Sequence, residues 1–280
     1  MKRTFIYSIA ILYAAISLLL AQNTNQTIDK PELNLSISDG YELFIGWPMV
    51  IEVNVYHSEF ASNSTAFNIT AKADDWTDRF KLLVKDSTGK AIIWPFELSP
   101  AGAKELLLDS NTIAGVVWVL SPENCINLKE GIYKISAILD TSDAASINSW
   151  KGKVSSEEIS INIKAEPTTL NSQVKKLKSI SLLKYYIAKK DNKNALMILD
   201  ETLKNNPNDI RALAVKGYVL NELGEQVEAI KIINKALDLF FASHSETEPP
   251  IFLIDIQRNI FKTAIKLSDE PVEVEEPPIE

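Results

Sequence analysis

The pattern of apolar and polar positions divides the chain into two parts with different periods. Between residues 31 and 166, apolar side chains recur at every second position, which is typical of strands with one face on a core. Beyond Glu166-Pro167 the spacing changes to three and four, which indicates helices. We therefore expect a multidomain β + α chain with a boundary near residue 168. The clearest alternating runs are Leu33, Leu35, Ile37; Ile51, Val53, Val55; Tyr133, Ile135, Ala137, Leu139; and Ile159, Ile161, Ile163.

The first part predicts an antiparallel β-sandwich over residues 31–166. Turn signals separate its candidate strands at the spacing of roughly 8–12 residues that is typical of such folds. Pro100, followed by Ala103-Lys104-Glu105-Leu106-Leu107-Leu108, predicts a short helical insertion at 99–109. Nine strands are expected, at about residues 33–38, 42–47, 49–56, 66–73, 80–86, 90–96, 113–120, 131–140 and 156–164.

The last strands of this part resemble the closing hairpin of bacterial immunoglobulin-like or fibronectin-like domains. Gly131 leads into a strand that contains Tyr133, and a final strand follows Trp150-Lys151-Gly152. The resemblance covers about 35 residues and implies an Ig-like sandwich. It supports the fold rather than a function. With Cys125 as the single cysteine, no disulfide can join the two sheets.

The second part predicts two helical hairpins, with helices at 179–189 and 193–204 and at 209–223 and 226–240. Ala195 recurs as Ala229 at an interval of 34 residues, and Leu199 and Leu203 recur as Ile233 and Leu237 at the same interval. Together with Gly217, these residues resemble the tetratricopeptide (TPR) family over about residues 176–241. Leu183 and Thr202 depart from the family pattern, so we expect the first hairpin to dock against the sandwich in a non-standard way.

The resemblance implies a TPR-like domain over residues 169–268, in which an amphipathic helix at 251–267 caps the last hairpin. A degenerate third repeat is the alternative interpretation of that helix. In the family, the first helix of each hairpin lines a concave protein-binding groove. The resemblance places Lys184, Arg211, Tyr218 and Asn221 in this groove. Arg and Tyr are frequent anchors in protein interfaces.

Both ends of the chain have a distinctive composition. Lys2 and Arg3 precede an uncharged apolar run at 4–21 and then polar residues, which is typical of a secretory signal peptide over residues 1–21. The run also reaches the lower length of a membrane span, so an uncleaved anchor is the alternative. Either way we expect an exported chain, periplasmic or extracellular. Six of the last twelve residues are acidic, and 269–280 is expected to be a disordered tail.

Few residues in the sequence are candidates for catalysis or for binding a metal, a cofactor or a nucleic acid. The chain has 29 basic and 37 acidic residues, which does not favour nucleic-acid binding. His57 and His244 are the only histidines and are interpreted as solvated surface residues, while Cys125 is interpreted as a buried or half-buried loop residue. These residues are too few for a zinc site. No Gly-x-Ser-x-Gly elbow or phosphate loop is present. We assign no catalytic, cofactor-binding or metal-binding residues and expect no enzyme.

Two further patterns leave alternatives open. The acidic segment 74–78 could ligate calcium, although it lacks the glycine and glutamate of an EF-hand and is better interpreted as a solvated connection. Exposed tryptophans could form a sugar-stacking platform. All five tryptophans lie in the first part, and Trp118 is expected in the core because it lies in the apolar run 116–120.

These patterns favour an exported, non-enzymatic protein–protein interaction or adaptor module of the bacterial envelope. Its expected partner is another envelope or secreted protein. It would contact a membrane only through an uncleaved N-terminal segment. One alternative is a structural envelope component in which the helices brace the sandwich. The other is an exported hydrolase or a glycan-binding protein.

The signal peptide generates a first prediction. Protein isolated from the host envelope should begin at Gln22, because Leu19 and Ala21 form an acceptable cleavage site. Intact-mass spectrometry measures this directly, and an Ala21→Tyr variant should keep residues 1–21. A chain that begins at Met1 and stays in the cytosol would contradict export, whereas a membrane-bound Met1 chain would show the anchor instead.

Overall fold

The computed structural model describes residues 30–37, 42–57, 66–146, 149–169, 171–243, 249–250, 253–258 and 260. Antiparallel sheets form the first part of the chain and helices the second, which confirms the mixed β + α class. The predicted signal peptide, the acidic tail, most of the capping helix and His244 lie outside the described residues. Among the residues that are described, no helix is both long and apolar enough to cross a membrane.

Twelve strands occur in the described part of the chain, and each predicted strand contains at least part of one. They are β1 (Pro31–Ile37), β2 (Glu42–Phe44), β3 (Met49–His57), β4 (Phe67–Thr70), β5 (Phe80–Lys85), β6 (Ala91–Ile92), β7 (Glu97–Ser99), β8 (Glu105–Leu108), β9 (Ile113–Leu120), β10 (Gly131–Asp140), β11 (Lys153–Ser155) and β12 (Ile159–Lys164).

The strands form two main sheets and one small one. The first sheet has the order β1-β3-β9-β7 and is antiparallel throughout. The second has the order β2-β12-β10-β5-β6, and β11 also pairs with β10. Consecutive strands β1 and β2 belong to different sheets, and β2 pairs with the last strand, β12, in parallel. The beginning of the described chain therefore connects both layers.

The predicted helical insertion at 99–109 is wrong. Residues 97–99 form β7 on the edge of the first sheet, and β8 pairs with β4 in the small sheet. Leu108 is fully buried and Leu106 is half-buried, whereas Leu107 between them is 55% exposed. A run of three leucines shows no alternation in sequence. Only the pairing with β4 therefore shows which of the three side chains face the core.

Side chains from both main sheets meet in one hydrophobic core. Ile51 and Val53 of the first sheet and Ile135 and Leu139 of the second are fully buried in the same cluster. Trp118 is also part of it, as predicted. Full burial of one such aliphatic side chain stabilises a fold by about 1.5–3 kcal/mol. The shared core holds the two sheets face to face.

His57 is not a surface residue, which corrects the expectation from sequence. Its side chain is fully buried, and its ring lies 5.1 Å from the ring of Phe67. The residue continues the inward alternation of Ile51, Val53 and Val55 along β3. This periodicity places it in the interior in spite of its polar ring.

A short helix, α1 (Pro122–Cys125), lies between β9 and β10, and four longer helices follow in the described residues of the second part. They are α2 (Ser172–Ala188), α3 (Asn192–Asn205), α4 (Ile210–Glu222) and α5 (Gln226–Ser243), and residues 253–258 are also helical. Side chains of Asn171, Asp191 and Asp209 accept a hydrogen bond from a backbone N–H in the first turn of α2, α3 and α4. Such caps satisfy groups that the helix itself leaves unpaired.

The helices pack through small residues where they approach closely. Ala195, Ala229 and Ala236 are fully buried. A Cβ atom at Gly217 in α4 would lie 3.4 Å from the backbone oxygen of Ala229 and 3.5 Å from Cβ of Ile233 in α5. This space accepts a methyl group in van der Waals contact but not a longer side chain. Gly217 therefore sets the distance between α4 and α5.

This contact generates a prediction on stability. Replacing Gly217 with Leu should lower the free energy of unfolding by about 1–3 kcal/mol, because the added atoms must displace the backbone of α5. Gly217→Ala is the matched control and should leave stability unchanged or raise it, since Ala also favours the helix by about 1 kcal/mol. Urea denaturation followed by circular dichroism measures both. Equal stability of the two variants would contradict the close approach of α4 and α5.

Candidate functional site

Helix α2 lies between the sandwich and the other helices and contacts both. On one side, Leu183, Tyr186 and Ile187 pack against a cluster around Ala195 and Leu199. On another side, the helix contacts β3 and β9 of the first sheet. The apolar side chains along α2 therefore serve two interfaces. The region between α2 and the sandwich, termed the junction, is the candidate site.

The first half of α2 is tied to the sandwich by a polar cluster. Trp47 Nε1 donates a hydrogen bond of 2.9 Å to Oε1 of Glu166, and Lys178 Nζ lies 2.7 Å from the same oxygen. Lys178 Nζ also lies 5.9 Å from the centre of the Trp47 ring, within the range of a cation–π contact. One carboxylate thus connects a sandwich tryptophan to a helix lysine.

The end of α2 is tied to the edge strand β7. Ser99 Oγ donates a hydrogen bond of 3.2 Å to the backbone oxygen of Ala188. Lys189, which follows the helix, forms a salt bridge with Glu97. Hydrogen bonding to Glu97 raises the pKa of Lys189 above its usual value. The first half of α2 and its C-terminal end are therefore both held against the sandwich.

Electrostatics at the junction favour an ionised carboxylate. The Lys178 ammonium and the Trp47 indole N–H hold the pKa of Glu166 below its usual value, although partial burial opposes them. The side chain of Glu166 remains 36% exposed, so solvent screens the pair. A pair of this kind contributes less than about 1 kcal/mol to stability and acts mainly on orientation.

Beside this cluster, α2 and the sandwich enclose an apolar groove of about 150 Å³. Leu43, Trp47 and Pro48 form the sandwich wall, and Leu177, Ile180, Ser181 and Lys184 form the helix wall. Leu177 is 47% exposed and Ile180 is 36% exposed. Apolar side chains left open to water next to a preformed wall favour binding of another apolar group. This junction groove has room for one branched apolar side chain.

The structure distributes the four predicted groove residues over two surfaces. Lys184 lines the junction groove. Tyr218 is half-buried and packs in the cluster formed by α2, α3 and α4. Arg211 is exposed at the start of α4, and the side-chain oxygen of Asn221 is buried without a hydrogen-bond partner among the described residues. Arg211, Tyr218 and Asn221 follow one side of α4, whereas Lys184 faces the sandwich.

Sequence reasoning missed the sandwich side of this site. Trp47 and Pro48 follow a turn at Gly46, whose φ of 81° lies in the left-handed region. Leu177 lies among three lysines near the start of α2. Lys175 and Lys176 are exposed, whereas Lys178 joins the junction. An exposed leucine between lysines is the signal that could have marked this face.

A second, larger cleft of about 570 Å³ opens between β1 and the strands β11 and β12. Its lining is mixed and includes Lys30, Glu32, Tyr56 and Glu157. Burial raises the pKa of Tyr56, and the negative charge of Glu32 adds to this effect. Tyr56 is therefore a neutral hydroxyl at physiological pH. The cleft places polar groups along an edge strand.

The acidic segment 74–78 has a structural role in the loop. Asp75 accepts hydrogen bonds from Thr77 N at 3.0 Å and from Gly102 N at 2.6 Å. Burial alone would raise the pKa of Asp75, but these hydrogen bonds outweigh it and lower the pKa. Asp78 accepts from two backbone N–H groups, of Lys72 and Ala73, at 2.7 Å each. In the described ranges, no group of three or more His, Cys, Asp or Glu residues could hold a metal ion.

The remaining candidates lie in or against the core. Trp47, Trp76 and Trp118 are buried, and Trp94 and Trp150 are half-buried and pack against the sandwich core, so they form no exposed platform for a sugar. Cys125 is buried, as predicted, but at the end of α1 rather than in a loop. Burial raises the pKa of its thiol to about 12. A thiol of this kind stays protonated and is a poor nucleophile.

Comparisons with known proteins identify no family. No family model matches the chain, and no curated protein matches it. Among solved structures, the CARDB domain of a Pyrococcus furiosus protein, determined with di-metal ions, aligns at a TM-score of 0.28 and 13% identity, over 51% of this chain and 100% of that one. TM-scores below 0.5 support no inference about this chain.

Two carbohydrate-active enzymes align with similarly low scores. A family 123 glycoside hydrolase from Clostridium perfringens has a TM-score of 0.31 and 12% identity, over 50% of this chain and 28% of the enzyme. A β-glucosidase from Listeria innocua has a TM-score of 0.27 and 12% identity, over 49% of this chain and 16% of the enzyme. Each alignment covers less than a third of the enzyme.

The polar cluster at the junction generates a prediction on pH. Because the pKa of Glu166 is lowered in the folded state, its contribution to stability is present above its ordinary pKa of 4.5 and is lost as pH falls through the folded-state value. The Glu166→Gln variant should be less stable than wild type near neutral pH, by less than about 1 kcal/mol. The difference should shrink below the ordinary pKa.

Urea titrations at several pH values measure this difference. Glu130→Gln, at an exposed position outside the junction, is the control for the loss of one surface carboxylate. A Glu166→Gln difference that stays constant as pH falls would contradict the ion pair with Lys178.

Proposed function

We propose that this chain is an exported, non-enzymatic protein–protein interaction or adaptor module of the bacterial envelope, with another envelope or secreted protein as its partner. The observation that supports this most is the position of α2, which is held to the sandwich in its first half and at its C-terminal end and packs on α3 and α4. A helical array presented at a fixed angle by a second domain suits binding better than catalysis. Export rests on the signal-like segment 1–21.

The strand order supports an Ig-like class for the sandwich. β1 pairs with β3 in the first sheet, whereas the next strand, β2, pairs in parallel with β12 in the second. Tyr133, at the start of β10, donates a hydrogen bond of 2.9 Å from its hydroxyl to the backbone oxygen of Lys129. A tyrosine that bonds back to the chain just upstream in this way is a hallmark of immunoglobulin-like sandwiches. Such sandwiches serve widely as binding and presentation domains.

The packing of the helices supports a TPR-like class for the second part. Ala195 and Ala229, separated by 34 residues, are both fully buried, as are Leu199 and Ile233. Gly217 sits at the close contact of α4 and α5. Equivalent residues thus occupy equivalent positions in two consecutive hairpins. Along α4, Arg211 is exposed and Tyr218 is half-buried, which is the kind of surface that a partner chain could contact.

A structural envelope component is the second candidate. The observation that favours it is the same double attachment of α2, since helices fixed to a sandwich could stiffen it in a larger assembly. The two candidates differ in their oligomeric state in solution. A bracing component should form a defined homo-oligomer, whereas an adaptor should be a monomer that forms a larger complex only with its partner. Size-exclusion chromatography with light scattering distinguishes these.

The adaptor proposal generates a prediction on crosslinking. A photo-reactive amino acid at position 211 of the chain, expressed in its native host, should give one discrete adduct, because Arg211 lies on the proposed binding side of α4. The same amino acid at Lys231, which is 74% exposed on α5, is the control and should not give it. The crosslinked protein is identified by mass spectrometry.

Binding of the identified protein then tests the residue itself. Arg211→Ala should weaken the affinity at least tenfold, which corresponds to about 1.4 kcal/mol, while Lys231→Ala should leave it unchanged. Identical adducts from both positions, or equal affinities of the two alanine variants, would contradict a partner site on α4.

A further inference from the structure

Strand β1 is an edge strand with one open side. It pairs with β3, and the sheet order β1-β3-β9-β7 gives it no second neighbour among the described strands. In an antiparallel pair, residues alternate between those that exchange hydrogen bonds with the partner strand and those that do not. About half of the N–H and C=O groups of β1 therefore point away from β3. A row of such groups is a template on which another extended chain can pair.

The open side of β1 borders the larger of the two clefts. Leu33 and Leu35 line this cleft from β1, and Val154 and Ile159 line it from the second sheet. The two leucines are buried, and Val154 and Ile159 are half-buried. Although β11 approaches β1, it belongs to the second sheet, and no strand pairing joins the two in the described residues. A chain added beside β1 in the first sheet would therefore face β11 across the sandwich and leave its pairing with β10 intact.

The length and alternation of β1 define the segment that suits this edge. Pro31 has no N–H to donate, so six of the seven residues of β1 remain for pairing, which is about 20 Å of strand. Alternate side chains of an added strand point to opposite sides of the sheet. One set would lie on the core side with Leu33 and Leu35, which are buried. The other set would lie on the outer side with Glu32 and Asn34.

Charge on the outer side favours a basic residue in the second set. The lining of the cleft includes Glu32, Glu157 and Lys30, so two carboxylates and one ammonium leave one negative charge. Burial raises the pKa of Tyr56, and the negative charges of Glu32 and Glu157 raise it further, which places both carboxylates near one hydroxyl. Glu157 is exposed and forms no ion pair with another described residue. A lysine or arginine of a bound segment can therefore pair with Glu157.

We propose that the open side of β1 binds an extended segment of a partner protein by β-strand addition. Alternate apolar side chains of the segment lie on the side of Leu33 and Leu35, and a basic side chain between them faces Glu157. Backbone hydrogen bonds to β1 supply affinity, and the apolar and basic positions supply specificity. The site lies on the sandwich and is separate from the partner site on α4. It rests on the proposed function only in that the segment belongs to another protein.

The test uses the purified full chain and short capped peptides. The first peptide alternates valine and lysine, and the second has the same sequence with the backbone nitrogens of two adjacent central residues methylated, which blocks both of its edges. Nuclear magnetic resonance of the β1 amides should show binding of the first peptide and slower hydrogen exchange of the amides that point away from β3. The methylated peptide should bind at least fivefold more weakly, because it loses backbone hydrogen bonds.

Charge gives an independent arm of the test. Glu157→Lys should weaken binding of the valine–lysine peptide at least threefold and strengthen binding of a valine–glutamate peptide. Glu130→Lys, at an exposed position outside the cleft, is the matched control and should change neither affinity.

Three outcomes would overturn the proposal. The first is that the valine–lysine peptide leaves the β1 amides unchanged at millimolar concentration. The second is that the methylated peptide binds equally well, since the backbone edge is then not used. The third is slow exchange of the β1 amides that depends on protein concentration without peptide, because a second copy of the chain then occupies the edge. None of these outcomes bears on the crosslinking test of α4, and failure of that test leaves peptide binding at β1 unaffected.

Discussion

The requirement that α2 bury two different faces determines most of this structure. Leu183, Tyr186 and Ile187 supply one face of the helical core, while the side around Ile180 and Ser181 lies against the sandwich. Burial on only one of these sides would leave the helix detached from one half of the molecule. The polar cluster of Trp47, Glu166 and Lys178 fixes which side faces the sheet, because it joins groups that the boundary between the domains brings together.

This constraint connects the fold to the proposed function. A sandwich and a helical array joined only by a linker would move independently. Here Ser99 and Glu97 of the edge strand β7 hold the end of α2, and Glu166 holds its first half. The side of α4 that includes Arg211 is consequently presented at a fixed orientation to the sandwich. The same arrangement leaves the junction groove only partly filled and surrounds it with lysines.

Local periodicity in the sequence predicts much of the fold. Alternation in β3, β10 and β12 and the 34-residue interval between Ala195 and Ala229 correspond to elements in the structure. The short strands β7 and β8 could not be predicted, because pairing with β9 and β4, far away in sequence, decides their conformation. His57 was predictable in principle, since it continues the alternation of β3.

The candidate site is harder to predict from sequence than the fold. Trp47 and Ile180 are separated by more than a hundred residues, and neither belongs to a motif. The family resemblance grouped Lys184 with residues of α4, because it assumes that every first helix faces the same groove. In this chain the first helix of the first hairpin, α2, instead packs part of its surface against the sandwich, and Lys184 lies on that part. Contacts between domains override the repeat pattern at that position.

Residual dipolar couplings test the central claim, that α2 joins the sandwich and the helices into one rigid unit. Couplings are measured for backbone amides in β3, β9 and β10 and in α3, α4 and α5 of the same partially aligned sample. The account predicts that a single alignment tensor fits both sets. Two tensors of different magnitude would show that the halves reorient independently, and they would contradict a junction held by Trp47, Glu166 and Lys178.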